Sequence, residues 1–188
     1  VVKYVGAELD LSEDTIRRDL RELAADGLLQ RVHGGALPAS PTIANLETRR
    51  GMANDEKRRL GQAAAKLIAR KQRVFIDGGT THMSLLRAIP LNLEFTVSTH
   101  SPAIATSLEG HAASVIVIGG TLFRHSMVAT GATALEAINR TRADLAFVGL
   151  SGLHPNEGGT SGDYEEAAIK RAIIARSAET AVLLTSEK

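Results

Sequence analysis

Short aliphatic runs that alternate with helical stretches constrain this chain more than anything else in it. Val74 to Asp77, Phe95 to Ser98, Val115 to Ile118, Leu145 to Leu150 and Ala181 to Thr185 are mostly β-branched or aliphatic. Runs of this length without polar alternation suit strands covered on both faces. Between them, Thr81–Ile89, Pro102–Leu108, Thr133–Asn139 and Glu165–Ser177 carry helical periodicity. Strand and helix taken in turn predict a parallel, doubly wound α/β sheet.

Open α/β sheets bind ligands outside the carboxyl ends of their strands. Here each end is rich in glycine or hydroxyl groups: Asp77-Gly78-Gly79-Thr80-Thr81, Ser98-Thr99-His100-Ser101, Gly119-Gly120, Gly149-Leu150-Ser151-Gly152 and Ser186-Glu187-Lys188. The Gly78–Thr81 loop runs straight into a helix, so its amides, two hydroxyls and a helix N-terminus form a cradle suited to phosphate. The spacing is neither Gly-x-Gly-x-x-Gly nor a Walker A loop, which argues against a dinucleotide or nucleoside triphosphate. Such a loop also serves as a plain tight βα connection; its recurrence at several strand ends favours a site. Arg124 reads equally as a phosphate partner or a solvated loop arginine. Asp163, Glu165, Glu166 and Lys170 open the last helix, and the i,i+4 pair Glu166–Lys170 reads equally as a surface salt bridge.

The N-terminal part follows a different pattern. Ser12 can cap a helix, and Glu13 and Asp14 suit its positive end. Ile16, Leu20, Leu23 and Ala24 then share one apolar face, with Arg17, Arg18 and Arg21 roughly opposite. Gly27 ends that helix, and Leu28 to His33, carrying Arg31 and His33, reads as a short strand before Gly34-Gly35. A helix over Val1–Leu9 precedes it. Arg17 and Arg21 are like charges at i,i+4, and Arg21 has no acidic neighbour at i±3 or i±4, so the face suits an anionic partner. Residues 1–33 nevertheless hold five Lys/Arg against seven Asp/Glu. Nucleic-acid binding there depends on local geometry and not on a broad basic field.

Leu37 to Ala44, with Pro38, Ser40 and Pro41, reads as a linker. From Asp55 a helical pattern puts Leu60, Ala64, Leu67 and Ile68 on one face and Lys57, Arg58, Arg59 and Lys66 largely elsewhere. That helix either covers one face of the next domain or serves dimer packing. The expected organisation is a DNA-binding domain over 1–36, a linker over 37–54 and an α/β domain over 55–188.

The chain has 188 residues, no cysteine and a net charge of +1. It contains no disulfide framework or thiolate metal site, which fits a reducing cytoplasm. The six histidines show no metal-ligand spacing, so no metal or other cofactor is expected. No apolar run is long enough to span a bilayer. A triad of Ser101, His100 and Asp77 lacks the Gly-x-Ser-x-Gly elbow.

Ser12-Glu-Asp-Thr15-Ile-Arg17-Arg18-Asp-Leu20, followed by Leu23, Gly27, Leu28, Arg31 and His33-Gly34-Gly35-Ala36, closely resembles the DNA-binding signature of DeoR-family bacterial transcription regulators. The resemblance implies a winged helix-turn-helix with its recognition helix beginning near Ser12. By it, Ser12, Thr15, Arg17 and Arg18, with Arg21 on the same face, meet a double-stranded DNA operator, and Arg31 and His33 sit on the wing. Bidentate Arg–guanine pairing and phosphate neutralisation are the chemistry that suits arginine there.

The second half resembles the sensor domain of the same family, which is similar in fold to ribose-5-phosphate isomerase and binds phosphorylated sugars or related metabolites. The matching positions are Asp77-x-Gly79-Thr80-Thr81, Thr99-x-Ser101, Gly119-Gly120, Gly149, Gly152 and Asp163-x-Glu165-Glu166-Ala-x-x-Lys170. His100 stands where the family usually has Asn, and Ser151 where Asp is common. The family has a helix ahead of Val1 and strands beyond Lys188, so the chain is expected to be truncated at both ends. The resemblance implies a cytoplasmic regulator, most simply a repressor of a carbohydrate operon, that pairs as a dimer or tetramer. The competing reading is a sugar-phosphate isomerase-like enzyme with a DNA-binding head, using Asp77, Glu165, Glu166 and Lys170 as acid–base groups.

Overall fold

The computed structural model describes residues 2–25, 29–32, 35–38, 46, 49, 51–156 and 158–186. These fall into two compact units, Val1–Ala44 and Asn45–Ser186.

The first unit contains α1 (Val2–Leu9), α2 (Glu13–Ala25), β1 (Leu29–Val32) and β2 (Gly35–Pro38). The turn between the helices closes when the Leu11 amide donates to the Gly6 carbonyl at 2.9 Å. A side chain at Gly6 would crowd the Leu11 carbonyl, so this tight corner requires the glycine. Ser12 caps α2, its Oγ accepting the Thr15 amide at 3.1 Å. Ile16 is the buried side chain of α2. Leu23, expected on the same apolar face, is 39% exposed; the main packing of α2 among the described residues is against α1 and β1. β1 and β2 pair antiparallel, with Leu29 opposite Pro38 and Arg31 opposite Ala36. Leu37 and Pro38, expected in the linker, therefore extend the hairpin; proline is tolerated at the end of an edge strand.

The second unit is a five-stranded, wholly parallel sheet ordered β11-β8-β3-β4-β5. Its members are β3 (Arg73–Ile76), β4 (Thr96–Thr99), β5 (Ser114–Val117), β8 (Ala143–Val148) and β11 (Ser177–Val182). Helices α3 (Asn54–Ala65), α4 (Thr80–Leu86) and α5 (Pro102–Ser107) cover one face, and α6 (Ala132–Asn139) and α7 (Tyr164–Ala175) the other. Alternation along the strands divides the core accordingly. Val74, Ile76, Leu145 and Phe147 pack with Leu85 and Ile104 on the first face, while Phe75, Ala146 and Val148 pack with Ile138, Ile169 and Ile173 on the second. The parallel doubly wound sheet read from the sequence is the observed architecture.

Three details differ from expectation. Burial on both faces fails at the edge, where Val115, Ile116 and Val117 are all exposed, because β5 has a strand neighbour on one side only. Lys57, expected outside, is 6% exposed; Nζ donates to the Arg49 carbonyl at 2.6 Å and to the Met52 carbonyl. Leu67, expected on the apolar face, lies beyond the end of α3 and is 54% exposed. Two hairpins were not foreseen, β6 (Thr121–Phe123) with β7 (Val128–Thr130) and β9 (Gly152–His154) with β10 (Gly158–Thr160).

Candidate functional site

The winding of the sheet reverses between β3 and β8. From β3 the chain proceeds outward through β4 to β5, and from β8 outward to β11. Crevices form outside the strand ends at such a reversal, and the two strand ends that flank it are tied together here. The Asp77 amide donates to the Phe147 carbonyl at 3.0 Å.

Asp77 is the hub of this crevice. Its Oδ1 accepts the Gly78 amide at 2.7 Å and His100 Nε2 at 2.8 Å. Its Oδ2 accepts Lys170 Nζ at 2.7 Å and the Gly149 amide at 3.0 Å. The carboxylate is 1% exposed, and burial works against its charge. Lys170 and the hydrogen bond from His100 outweigh that penalty, with help from the charges of His100 and His82, and hold the carboxyl well below the usual carboxylate range. Four donors fill the lone-pair directions of a carboxylate. Asp77 therefore organises the site rather than facing a ligand with a free oxygen, and a group so held is a poor general base.

Lys170 is delivered from the second turn of α7. Asp163 caps that helix, its Oδ1 accepting the Glu166 amide at 2.9 Å. The surface pair expected between Glu166 and Lys170 does not form among the described residues, because the Lys170 ammonium reaches Asp77 instead. An ammonium has three donors, one of which is committed to Asp77, and 11% of the side-chain surface stays open. Glu165 is exposed and Glu166 half-buried.

The β4 end is equally built. His100 is buried, with Nδ1 at 2.8 Å from the Ala129 carbonyl and Nε2 on Asp77. Both ring nitrogens thus face oxygens that only accept, a bridging role that an asparagine amide cannot fill in the same way. Thr99 Oγ1 accepts the Ser101 amide at 3.1 Å, and Ser101 caps α5 through Ile104. Gly78 is pinned beneath β7, because a Cβ there would overlap Val128. The Gly79 backbone, at φ +125°, is the N-cap of α4 and leads into half-buried Thr80 and buried Thr81. His82 Nδ1 lies 3.0 Å from the Gly78 carbonyl, and its ring lies under Gly149.

The structure thus gathers Asp77, Gly78, His100, Gly149 and Lys170 into one bonded cluster, flanked by Gly79–Thr81, Thr99, Ser101 and the α7 residues Asp163 and Glu166. Gly119 and Gly120 follow β5 and are exposed; Arg124 is exposed on the β6–β7 turn. Gly152 opens β9, where the hairpin closes through Thr160 Oγ1 onto its carbonyl. Among the described residues, none of these four positions hydrogen-bonds to Asp77.

Sequence reasoning passed over Arg49 and His82. Arg49 Nε and Nη2 are buried without a hydrogen-bond partner among the described residues. Burial lowers the pKa of this guanidinium, while Glu166 and Asp77 pull it back up, so it stands within the field of the same cluster. Its position in an expected linker gave no signal of this.

On α2, Arg17 pairs with Glu13 at 2.8 Å and Asp14 at 3.3 Å, and Arg18 contacts Asp19 at 3.6 Å and Glu22 at 4.0 Å. Neighbouring acids thus relieve the repulsion expected between Arg17 and Arg21. Arg21 Nε turns back to the Arg17 carbonyl at 3.2 Å. Thr15 is half-buried beside Ser12. Arg31 lies on β1, and His33 lies outside the described residues.

Among the described residues no group of three His, Asp or Glu side chains is placed to hold a metal ion, and no helix is long and apolar enough to cross a membrane.

Residues 2–42 match the DeoR-like helix-turn-helix domain, and residues 52–188 the DeoR C terminal sensor domain. The chain is 34% identical over its whole length to the HTH-type transcriptional regulator GlpR of Haloferax volcanii, spanning 74% of that protein. It is 32% identical to the Glycerol-3-phosphate regulon repressor of Escherichia coli, over 98% of this chain and 76% of the repressor. In fold it is similar to ribose 5-phosphate isomerase A from Methanocaldococcus jannaschii, with a TM-score of 0.52 and 13% identity over 72% of this chain and 54% of that one.

Proposed function

Because the chain belongs to the DeoR family of transcription regulators, we propose that it represses a carbohydrate or polyol operon in the cytoplasm and releases DNA on binding a small phosphorylated sugar or polyol. The observation that carries the sensor reading is the bonded cluster at the reversal of the sheet. A buried, fully satisfied Asp77 holds Lys170, His100 and two glycine amides in fixed positions there. Spare ammonium donors, hydroxyls and strand-end amides are the groups that bind a phosphate and its neighbouring hydroxyls. That two relatives carry glycerol-3-phosphate or GlpR in their names favours a short phosphorylated polyol among the candidates.

DNA contacts fall to Ser12, Thr15, Arg17, Arg18 and Arg21 on α2, with Arg31 and His33 on the wing. Regulation is linkage: an effector that prefers one arrangement of paired DNA-binding units shifts operator affinity by that preference, commonly 5- to 150-fold, or about 1–3 kcal/mol. A dimer or tetramer supplies the paired units.

The relatives are named regulators and repressors, and the chain is a regulator rather than an isomerase; the isomerase likeness is one of fold. The test selects an operator from genomic fragments, then titrates the protein–DNA complex with glycerol 3-phosphate, ribose 5-phosphate, fructose 6-phosphate and their phosphate-free analogues. Release or tightening by a phosphorylated member alone is the expected result. No change in operator affinity or melting temperature with any of them would remove the sensor reading.

A further inference from the structure

Arg49 stands five residues beyond Ala44, the last residue of the first unit, and its side chain is out of place for a linker. Nε and Nη2 are shielded from water and meet no acceptor. Leaving charged donors buried and unmatched is costly, and native structures pair such groups. The nearby acids do not resolve the shortfall. Asp77 already accepts four hydrogen bonds, from Gly78, His100, Lys170 and Gly149, and has no lone pair to offer. Glu166 acts on Arg49 through its charge, and no hydrogen bond joins the two among the described residues.

The backbone at Arg49 is held firmly while two nitrogens of its head group stay unmatched. The Arg49 carbonyl accepts Lys57 Nζ at 2.6 Å, and the same ammonium also holds the Met52 carbonyl. A buried lysine on α3 thus ties the Arg49 and Met52 carbonyls to that helix. A planar fork with two buried donors lacking acceptors suits a bidentate oxyanion, as phosphate and carboxylate are.

We propose that Arg49 binds the anionic group of the effector together with Lys170, and that this bond carries occupancy of the crevice into the segment leading to the DNA-binding unit. The inference rests on the reading of the crevice as the effector site. It adds that ligand binding and the connecting segment share one residue. An effector lacking the anionic group leaves Arg49 unmatched and so loses both affinity and its hold on that segment.

The test compares wild type, Arg49→Met and Arg49→Lys, using calorimetry with the phosphorylated panel above and melting temperature without ligand. A charge-assisted bond of this kind is worth about tenfold to a hundredfold in affinity. Arg49→Met is expected to lose at least about tenfold in ligand affinity, and Arg49→Lys to regain part. The ligand-free Arg49→Met protein is expected to melt no lower than wild type, because an unmatched buried charge has been removed. Wild-type binding with unchanged affinity in Arg49→Met overturns the role of Arg49 and leaves the sensor reading standing. A lower melting point with unchanged affinity identifies a structural arginine and also overturns it. Failure of wild type to bind any phosphorylated compound removes both readings together.

Discussion

Replacing Lys170 with methionine strips the counter-charge from a buried carboxylate while keeping most of the side-chain volume. Asp77 is 1% exposed and its Oδ2 lies 2.7 Å from the ammonium. Removing one partner of a buried ion pair costs about 3–5 kcal/mol, because the other charge is stranded. Asp77 keeps three other donors, which places the expected loss near the lower end, about 3 kcal/mol. At about 2–4 °C per kcal/mol for a domain of this size, the melting temperature should fall by about 6–12 °C. The pH dependence has a definite sign. Lys170 and His100 hold the Asp77 pKa well below its ordinary value in the folded state. The stability it contributes is present above the unfolded carboxyl pKa and is lost as pH falls through the folded one. In Lys170→Met the Asp77 pKa rises, so the gap between variant and wild type is widest near neutrality and narrows below about pH 4. Adding Asp77→Asn to Lys170→Met should recover at least about 1 kcal/mol, since no charge is then stranded. Urea denaturation between pH 3 and 7, without ligand, measures all three quantities. A loss under about 1 kcal/mol for the single change, or strict additivity in the double, would refute the account of Asp77 as a charge held by Lys170.

Three further outcomes are expected. Gly78→Ala forces a methyl into buried Val128 and should cost about 1–3 kcal/mol in chemical denaturation; a neutral result would show that β7 yields there. Asp163→Ala removes the cap that accepts the Glu166 amide, should cost about 1 kcal/mol, and should weaken binding of any ligand seated on Lys170, read by calorimetry. Arg18→Ala should weaken specific operator binding by about 1–3 kcal/mol with little change in melting temperature, because its ion pairs are exposed; unchanged operator affinity in a mobility-shift titration would displace α2 from the DNA.

The sheet was legible because its signal is local. Val74–Ile76 and Leu145–Val148 are apolar on both faces of a strand, and only a doubly covered sheet uses such runs. Boundaries shifted where the ends are polar: β11 begins at Ser177 and includes Glu179 and Thr180, an edge strand that needs little apolar burial. The strand-end glycines and hydroxyls pointed to the crevice, and Asp163 and Lys170 were marked by their place on the last helix. Partner choice was not legible. Lys170 selects Asp77, 93 residues away, over Glu166 one turn back, because a fully buried carboxylate needs the charge more than a half-buried one does. Lys57 likewise turns inward, to the Arg49 and Met52 carbonyls, and helical spacing carries no trace of either choice.

The paired arginines of α2 bear on how salt affects binding to a polyanion. On the proposed docking, Arg17 and Arg18 would meet DNA already partnered by carboxylates from their own helix. Moving such a guanidinium onto a phosphate frees a counterion from the duplex but leaves a carboxylate that gathers one back. The slope of log affinity against log salt therefore falls short of the roughly 0.9 per phosphate contact set by counterion release. Operator occupancy in this protein should vary less with ionic strength than a count of its arginines suggests.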